Sequence, residues 1–381
     1  MISWTKLLTG QLEDNDNLRY SKGKGAIPKL VVWNSTSGCN LYCQHCYFDA
    51  RQAAGPNELS QKEAEDFILD LAKLEVSVLL FSGGEPLVRK DIFELGRFAK
   101  ASGIQPVLST NGTLITKGIA EKIKKAGFSY VGISLDGMEQ TNDAFRQKKG
   151  AFKAAVAAIK NCQRAGLKVG LRFTVVRSNF KDLPAIFDLV EKQSIPRFCL
   201  YHLVYTGRAG NIIQNDISYE EKRQMLEFIW EKTTTLYQKG KKIEILTVDN
   251  HADGAWVYLK LKSHNPGRAK EALRLLKAQG GNSSGIKIGA VDNQGYIYAD
   301  QFLRSYPLGN IRQERFSDLW RGGNGLLSAL RSRKDFLKGR CQRCDFLNIC
   351  NGNFRARAAA FSGDLWAEDP ACYLTEKEIA A

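Results

Sequence analysis

The chain has 381 residues, 44% of them apolar and 25% charged, enough for one large core with a smaller satellite or for two domains. No apolar run approaches the roughly 20 residues of a membrane span. The first twenty residues also lack the continuous apolar segment of a secretory signal, so a cytoplasmic protein with no membrane partner is expected. Lys and Arg number 55 against 40 Asp and Glu, a formal charge of +15 that suits an anionic partner: nucleic acid, acidic lipid or a polycarboxylate ligand. The basic residues are scattered, with short clusters at 122–125 and 239–242, so a solvated basic surface accounts for them equally well.

In chain order, residues 1–28 are polar and read as a loose lead-in. From 29 to about 205, β-branched and aromatic runs alternate with amphipathic stretches. Strands are predicted at 29–33, 76–81, 106–109, 130–135, 168–176 and 197–204, and helices at 61–74, 91–101, 117–125, 151–164 and 183–192. This alternation predicts an α/β fold of parallel strands with right-handed crossovers, either an open doubly wound sheet or a full or partial (β/α) barrel. In both, functional residues gather in the loops after the carboxyl ends of the strands. A helix is predicted at 219–238. Beyond it the pattern turns Gly-rich with short strands such as 295–298, so the expected division is a lead-in at 1–28, a barrel at 29–240 and a second unit at 241–381.

After the first strand come Cys39, Cys43 and Cys46, spaced C-x3-C-x2-C. In a reducing cytosol such grouping points to metal rather than disulfides. Three thiolates can surround one soft metal centre. A four-iron cluster held by three cysteines would leave one iron open, and a zinc ion with His45 as a further ligand is the alternative. The second strand ends in Ser82-Gly83-Gly84-Glu85-Pro86, where two glycines allow backbone to come close to a ligand.

Together, CNLYCQHC at 39–46 and GGEP at 83–86 resemble the motifs of radical S-adenosylmethionine (SAM) enzymes, a resemblance spanning about 29–240. It implies a partial (βα)6 barrel in which Cys39, Cys43 and Cys46 hold a 4Fe–4S cluster whose open iron is chelated by SAM. By the same resemblance, the backbone around Gly83, Gly84 and Glu85 receives the SAM amino group. Ser109, Asn111, Ser134 and Asp136 offer polar groups for its ribose and carboxylate, and Arg146 pairs with the carboxylate. Asn111-Gly112 and Asp136-Gly137 are also ordinary turn sequences. In that family the reduced cluster splits SAM to methionine and a 5′-deoxyadenosyl radical, which abstracts hydrogen from the substrate.

Near the end stand Cys341, Cys344, Cys350 and Cys372, a tetra-cysteine set that suits zinc or a 4Fe–4S cluster equally. It resembles the SPASM/Twitch extension of radical SAM enzymes and implies a second, auxiliary 4Fe–4S cluster in a small cysteine-rich domain. Cys162 and Cys199 read as core. Residues 246–254 (LTVDNHADG), 280–285 (GGNSSG), 300–302 (DQF) and 364–374 (DLWAEDPACYL) resemble the haem-biosynthesis branch, whose members trim the side chains of iron tetrapyrroles.

The reaction this implies is removal of acetate side chains, taking didecarboxysiroheme to iron-coproporphyrin. Propionate removal on the d1-haem route and propionate decarboxylation to vinyl groups are the alternatives. From other classes, a peptide-modifying maturase and a non-catalytic metal- or RNA-binding protein are the alternatives. Too few cysteines argue against the first, and the barrel pattern with GGEP argues against the second. The implied partners are an iron tetrapyrrole and an electron donor such as ferredoxin or flavodoxin, with no nucleic acid. Arg172 and Arg208 are candidate carboxylate clamps, and His251 is a candidate substrate contact that also reads as a structural histidine. No side chain is singled out as the group that performs the chemistry.

Overall fold

The computed structural model of the chain describes residues 1–13, 16–20 and 27–380. β1 (Ile2–Ser3), α1 (Trp4–Thr9) and α2 (Asn17–Tyr20) precede the alternating part. That part runs β2 (Leu30–Asn34), α3 (Gln61–Lys73), β3 (Val78–Ser82), α4 (Ile92–Ala101), β4 (Gln105–Thr110), α5 (Lys117–Lys125), β5 (Tyr130–Ser134), α6 (Glu139–Phe145), α7 (Ala151–Arg164), β6 (Lys168–Val175), α8 (Leu183–Lys192), β7 (Arg197–His202), α9 (Tyr219–Gln238) and β8 (Glu244–Val248). There follow α10 (Ala252–His264), α11 (Pro266–Gln279), β9 (Ile288–Val291), β10 (Tyr296–Tyr298) and β11 (Gly309–Asn310). The short helices α12 (Phe316–Gly322), α13 (Gly325–Arg331), α14 (Leu347–Cys350), α15 (Arg355–Ser362) and α16 (Glu376–Ile379) complete the order.

The helices begin where the sequence supplies caps. Ser60 with Glu63 opens α3 and Ser218 with Glu221 opens α9, each a reciprocal capping box. All strands join one sheet in the order β1-β8-β7-β6-β5-β4-β3-β2-β9-β10-β11. β2 to β8 are parallel, so their carboxyl ends share one mouth.

The sheet curls. β2 and β7 are five strands apart, which in a flat sheet would mean roughly 24 Å at about 4.8 Å per strand. Yet the backbone N–H of Arg208, after β7, donates to the carbonyl of Cys46, after β2, at 3.0 Å. The outward strand faces pack under the helices, as Phe198 does against Phe187 (centroids 5.0 Å apart). Inside, Val32, Ala290 and Tyr298 form one small apolar cluster and Cys199, Leu246 and Val248 another, both separate from the main core.

The six predicted strands are β2 to β7. Three expectations change. Residues 2–9 of the supposed lead-in are folded: β1 pairs with β8, and the fully buried Trp4 donates from Nε1 to Thr247 Oγ1 at 3.1 Å. Residues 14–15 and 21–26 of that lead-in lie outside the described residues. The expected boundary at 240 is crossed by the sheet, since β8 extends it beyond β7 and β9 pairs in parallel with β2. The stretch expected to be turn-rich holds two helices, α10 and α11. Pro266-Gly267 looks like a break, but Pro266 occupies the first turn of α11, where its missing N–H costs nothing. Among the described residues no helix is long and apolar enough to cross a membrane.

Candidate active site

The cysteine loop leaves β2 at the mouth of the sheet and is pinned there by its neighbours. Cys39 N–H donates to Arg51 O at 2.6 Å, and Glu58 accepts from Ser37 N at 2.7 Å. Gly84 N and Glu85 N donate to Thr36 O and Gly38 O, each at 2.8 Å. A Cβ on Gly84 would collide with the Gly38 carbonyl, and Gly83, at φ +120°, would place one 2.6 Å from Thr36 O. The glycine pair expected to admit a ligand therefore first admits the backbone of the cysteine loop. The buried Glu85 carboxylate accepts from Thr110 Oγ1 at 2.7 Å, Asn111 N at 2.8 Å and Leu87 N at 3.2 Å, tying the loops after β3 and β4 together. Burial raises its pKa, against the pull of these donors.

Each sulfur of the loop has a donor near it. Leu41 N lies 3.4 Å and Asn111 Nδ2 3.9 Å from Cys39 Sγ, Arg146 Nη1 3.7 Å from Cys43 Sγ, and Ala50 N 3.5 Å from Cys46 Sγ. Such bonds stabilise thiolates bound to iron. Burial pushes the Cys39 thiol up to about 12 and Cys43 up to about 11, so ionising them calls for a bound cation. Among the described residues no three His, Cys, Asp or Glu side chains converge on a single-ion site. His45 stacks on Phe145 (centroids 4.5 Å apart) with Nε2 3.3 Å from Asp136 Oδ2. Burial lowers its pKa to about 4, so the ring is neutral.

Asp136 and Arg146 do come together, but with each other. Their ion pair is buried, and Asp136 Oδ1 also accepts from Thr174 N at 2.7 Å. What Arg146 retains for an anion is a buried Nε–H without a partner. Arg208, expected as a carboxylate clamp, instead holds the cysteine loop. Its Nε donates to Cys43 O at 2.9 Å, its Nη1 to Ala50 O at 2.8 Å and Asp49 Oδ1 at 2.9 Å, and its guanidinium lies 4.0 Å from the Tyr42 ring centroid.

Arg172 enters the barrel interior from β6, bonded to Ser109 Oγ and 5.8 Å from the Tyr201 ring centroid, with its Nε–H unpartnered. Gly132 makes room for it, since a Cβ there would lie 2.6 Å from Arg172 Nε. Ser134 is half-buried at the end of β5, beside Arg172 in register. Arg304 lies over the Phe48 ring at 4.2 Å with a buried Nη1 unpartnered. Tyr47, held by Asn34 Oδ1 at 2.7 Å, feels both cations. Arg304, Tyr47 and Asp249 escape a reading of the sequence, although Arg304 and Asp249 lie in or beside the DQF and LTVDNHADG segments. His251 is buried, stacks beside Phe354 (6.2 Å) and has a pKa lowered by burial, with Nδ1 unpartnered.

In the last part of the chain, Cys341, Cys344, Cys350 and Cys372 line one cavity together with Arg340 and Asp369. Burial raises all four thiols, Cys372 to about 12. A fully buried ion pair, Arg357 with Asp369 (2.7 Å), docks this region on the mouth. Arg357 also donates to Leu203 O at 2.9 Å and Asp249 O at 2.8 Å, in the loops after β7 and β8.

Comparison with known proteins agrees with this arrangement. A model of the radical SAM superfamily matches residues 33–190. The Fe-coproporphyrin III synthase of Methanosarcina barkeri (strain Fusaro / DSM 804) is 49% identical over all of this chain and 99% of its own length. The pre-heme d1 synthase of Dinoroseobacter shibae is 39% identical over 93% of this chain and 88% of its own. Streptococcus suis SuiB, a solved structure, shares the fold with a TM-score of 0.71 at 19% identity, over 92% of this chain and 78% of SuiB. The curled parallel sheet, its cysteine loop and these full-length relatives place the chain in the radical SAM superfamily, in the branch that includes Fe-coproporphyrin III synthase and pre-heme d1 synthase.

Proposed function

We propose that the protein removes two acetate side chains from an iron tetrapyrrole, converting didecarboxysiroheme to iron-coproporphyrin. The naming of the 49% identical relative supports this product. The observation that carries the reading is a pair of buried cations: Arg172 in the barrel interior and Arg304 over Phe48 beside the cysteine loop each keep a buried N–H unpartnered, an environment that suits a substrate bearing several carboxylates.

Cys39, Cys43 and Cys46 would hold the 4Fe–4S cluster, and the Gly83–Glu85 turn, Ser134 and the free Nε–H of Arg146 would hold SAM. With the amides of Gly84 and Glu85 engaged, this turn has carbonyl oxygens to offer an ammonium group. Cys341, Cys344, Cys350 and Cys372 would hold an auxiliary cluster, and the electron donor would be of the ferredoxin or flavodoxin class. When bound, the cluster and SAM supply a carbon radical strong enough to take hydrogen from an unactivated C–H bond. The protein's part is alignment and exclusion of water. Arg208 and the Gly83–Glu85 turn keep the cysteine loop over the barrel, and the Arg357–Asp369 pair keeps the last part of the chain over the mouth.

Anaerobic incubation of the reconstituted protein with SAM, a reductant and didecarboxysiroheme, followed by mass analysis, tests the reading. The expected product has lost both acetate groups. Loss of propionate mass, or of carbon dioxide alone, would replace it with one of the sister reactions.

A further inference from the structure

The buried aspartates around the mouth are saturated, with one exception. Asp136 has Arg146 and Thr174 N, Asp253 has His202 at 2.9 Å and Tyr373 OH at 2.7 Å, and Asp300 has Phe302 N at 2.8 Å and Leu303 N at 3.0 Å. Asp369 has Arg357. Asp249 is 5% exposed, and its carboxylate accepts no hydrogen bond from the described residues.

Its position is fixed by β8. Val248 pairs with Tyr201, and Tyr201 with Thr174, so Asp249 stands one residue above that layer, at the end that carries the cysteine loop. Its backbone is held in the left-handed region (φ +66°), a conformation that L side chains rarely adopt and that clusters at ligand sites. Arg357 bonded to its carbonyl and Asn250 bonded to Ala371 O at 3.0 Å keep it there. The charged and titratable groups facing it are Arg172 from β6, Tyr201 from β7, Arg357 from α15, Asp300 beyond β10 and the amino group of Met1. Burial pushes its carboxyl up to about 7, so below neutrality it carries a proton to donate.

Building on the tetrapyrrole reading, we propose that Asp249 contacts the substrate directly, donating a hydrogen bond to one of its carboxylates and so deciding, with Arg172, which side chain lies at the reacting position. A carboxylic acid against a carboxylate makes a short, charge-assisted bond, and Arg172 beside it balances the charge.

The test titrates the anaerobically reconstituted holoenzyme with iron-coproporphyrin III, followed by Soret absorption from pH 6.0 to 8.5, in wild type, D249N and D249A. Wild-type affinity should fall at least fivefold as pH rises through 7, because the ionised carboxylate repels the ligand. D249N, which keeps a donor but cannot ionise, should flatten that profile. D249A should bind at least fivefold more weakly at pH 6.5, with cluster absorbance unchanged as the check on folding. Binding in both variants with wild-type strength and pH profile overturns the proposal while sparing the function. Failure of the wild type to bind iron-coproporphyrin III removes the tetrapyrrole reading and this one with it.

Discussion

A buried carboxylate without a partner is a liability to the fold, and Asp249 is such a group. Its pKa is about 7 when folded, against the ordinary aspartate value near 3.9 when unfolded. The unfolded chain therefore releases its proton first, and stability present below about pH 4 is lost as pH rises toward 7. Replacing the group with a neutral isostere removes that dependence. Thermal unfolding of D249N should show a gain over wild type that grows by the order of 2 kcal/mol between pH 5 and pH 8, and a constant difference would contradict the argument. At this scale the sequence is legible where residue type dictates chemistry, as in the three clustered thiols. It is silent where tertiary neighbours choose partners. Nothing in the spacing of Arg208 and Cys43 foretells that one holds the other, and Arg146 looks available until Asp136 is seen to take it.

The cysteine loop is an element whose shape comes from outside itself. It is held by the Gly83–Glu85 turn on one side and by Arg208 on the other. Substitution R208A should leave Tm nearly unchanged, because the core is not touched, yet lower the loop's retention of iron by roughly tenfold or more. Iron lost to a chelator in a fixed time measures this, and unchanged retention would mean that the loop holds its own form. The strands β2 to β7 were readable because burial on both faces writes near-continuous apolar runs. α10 was hidden because Gly254 interrupts it and its surroundings bury more than one face, leaving little amphipathic contrast. α11 was hidden by a proline that starts it.

For the molecule as a whole, the two cysteine groups belong to one packed body. One apolar core includes side chains from Ile2 to Ile379, and the Arg357–Asp369 pair bridges the mouth and the cavity lined by the last four cysteines. If Cys372 completes that second site, C372S should lower iron in the reconstituted chain from about eight atoms toward about four, as counted by colorimetric assay. Iron content equal to the wild type would leave Cys372 a bystander.

The order of the sheet also bears on how the chain is made. β2, from which the cysteine loop hangs, gains its second neighbour only from β9, residues 288–291. During synthesis from the amino end that strand emerges early but keeps a bare side until most of the polypeptide has left the ribosome, the kind of edge that invites mispairing. A nascent chain stalled before β9 already carries the Gly83–Glu85 turn and Arg208 that hold the cysteine loop, but it lacks the partner that closes the open side of the strand bearing the thiols.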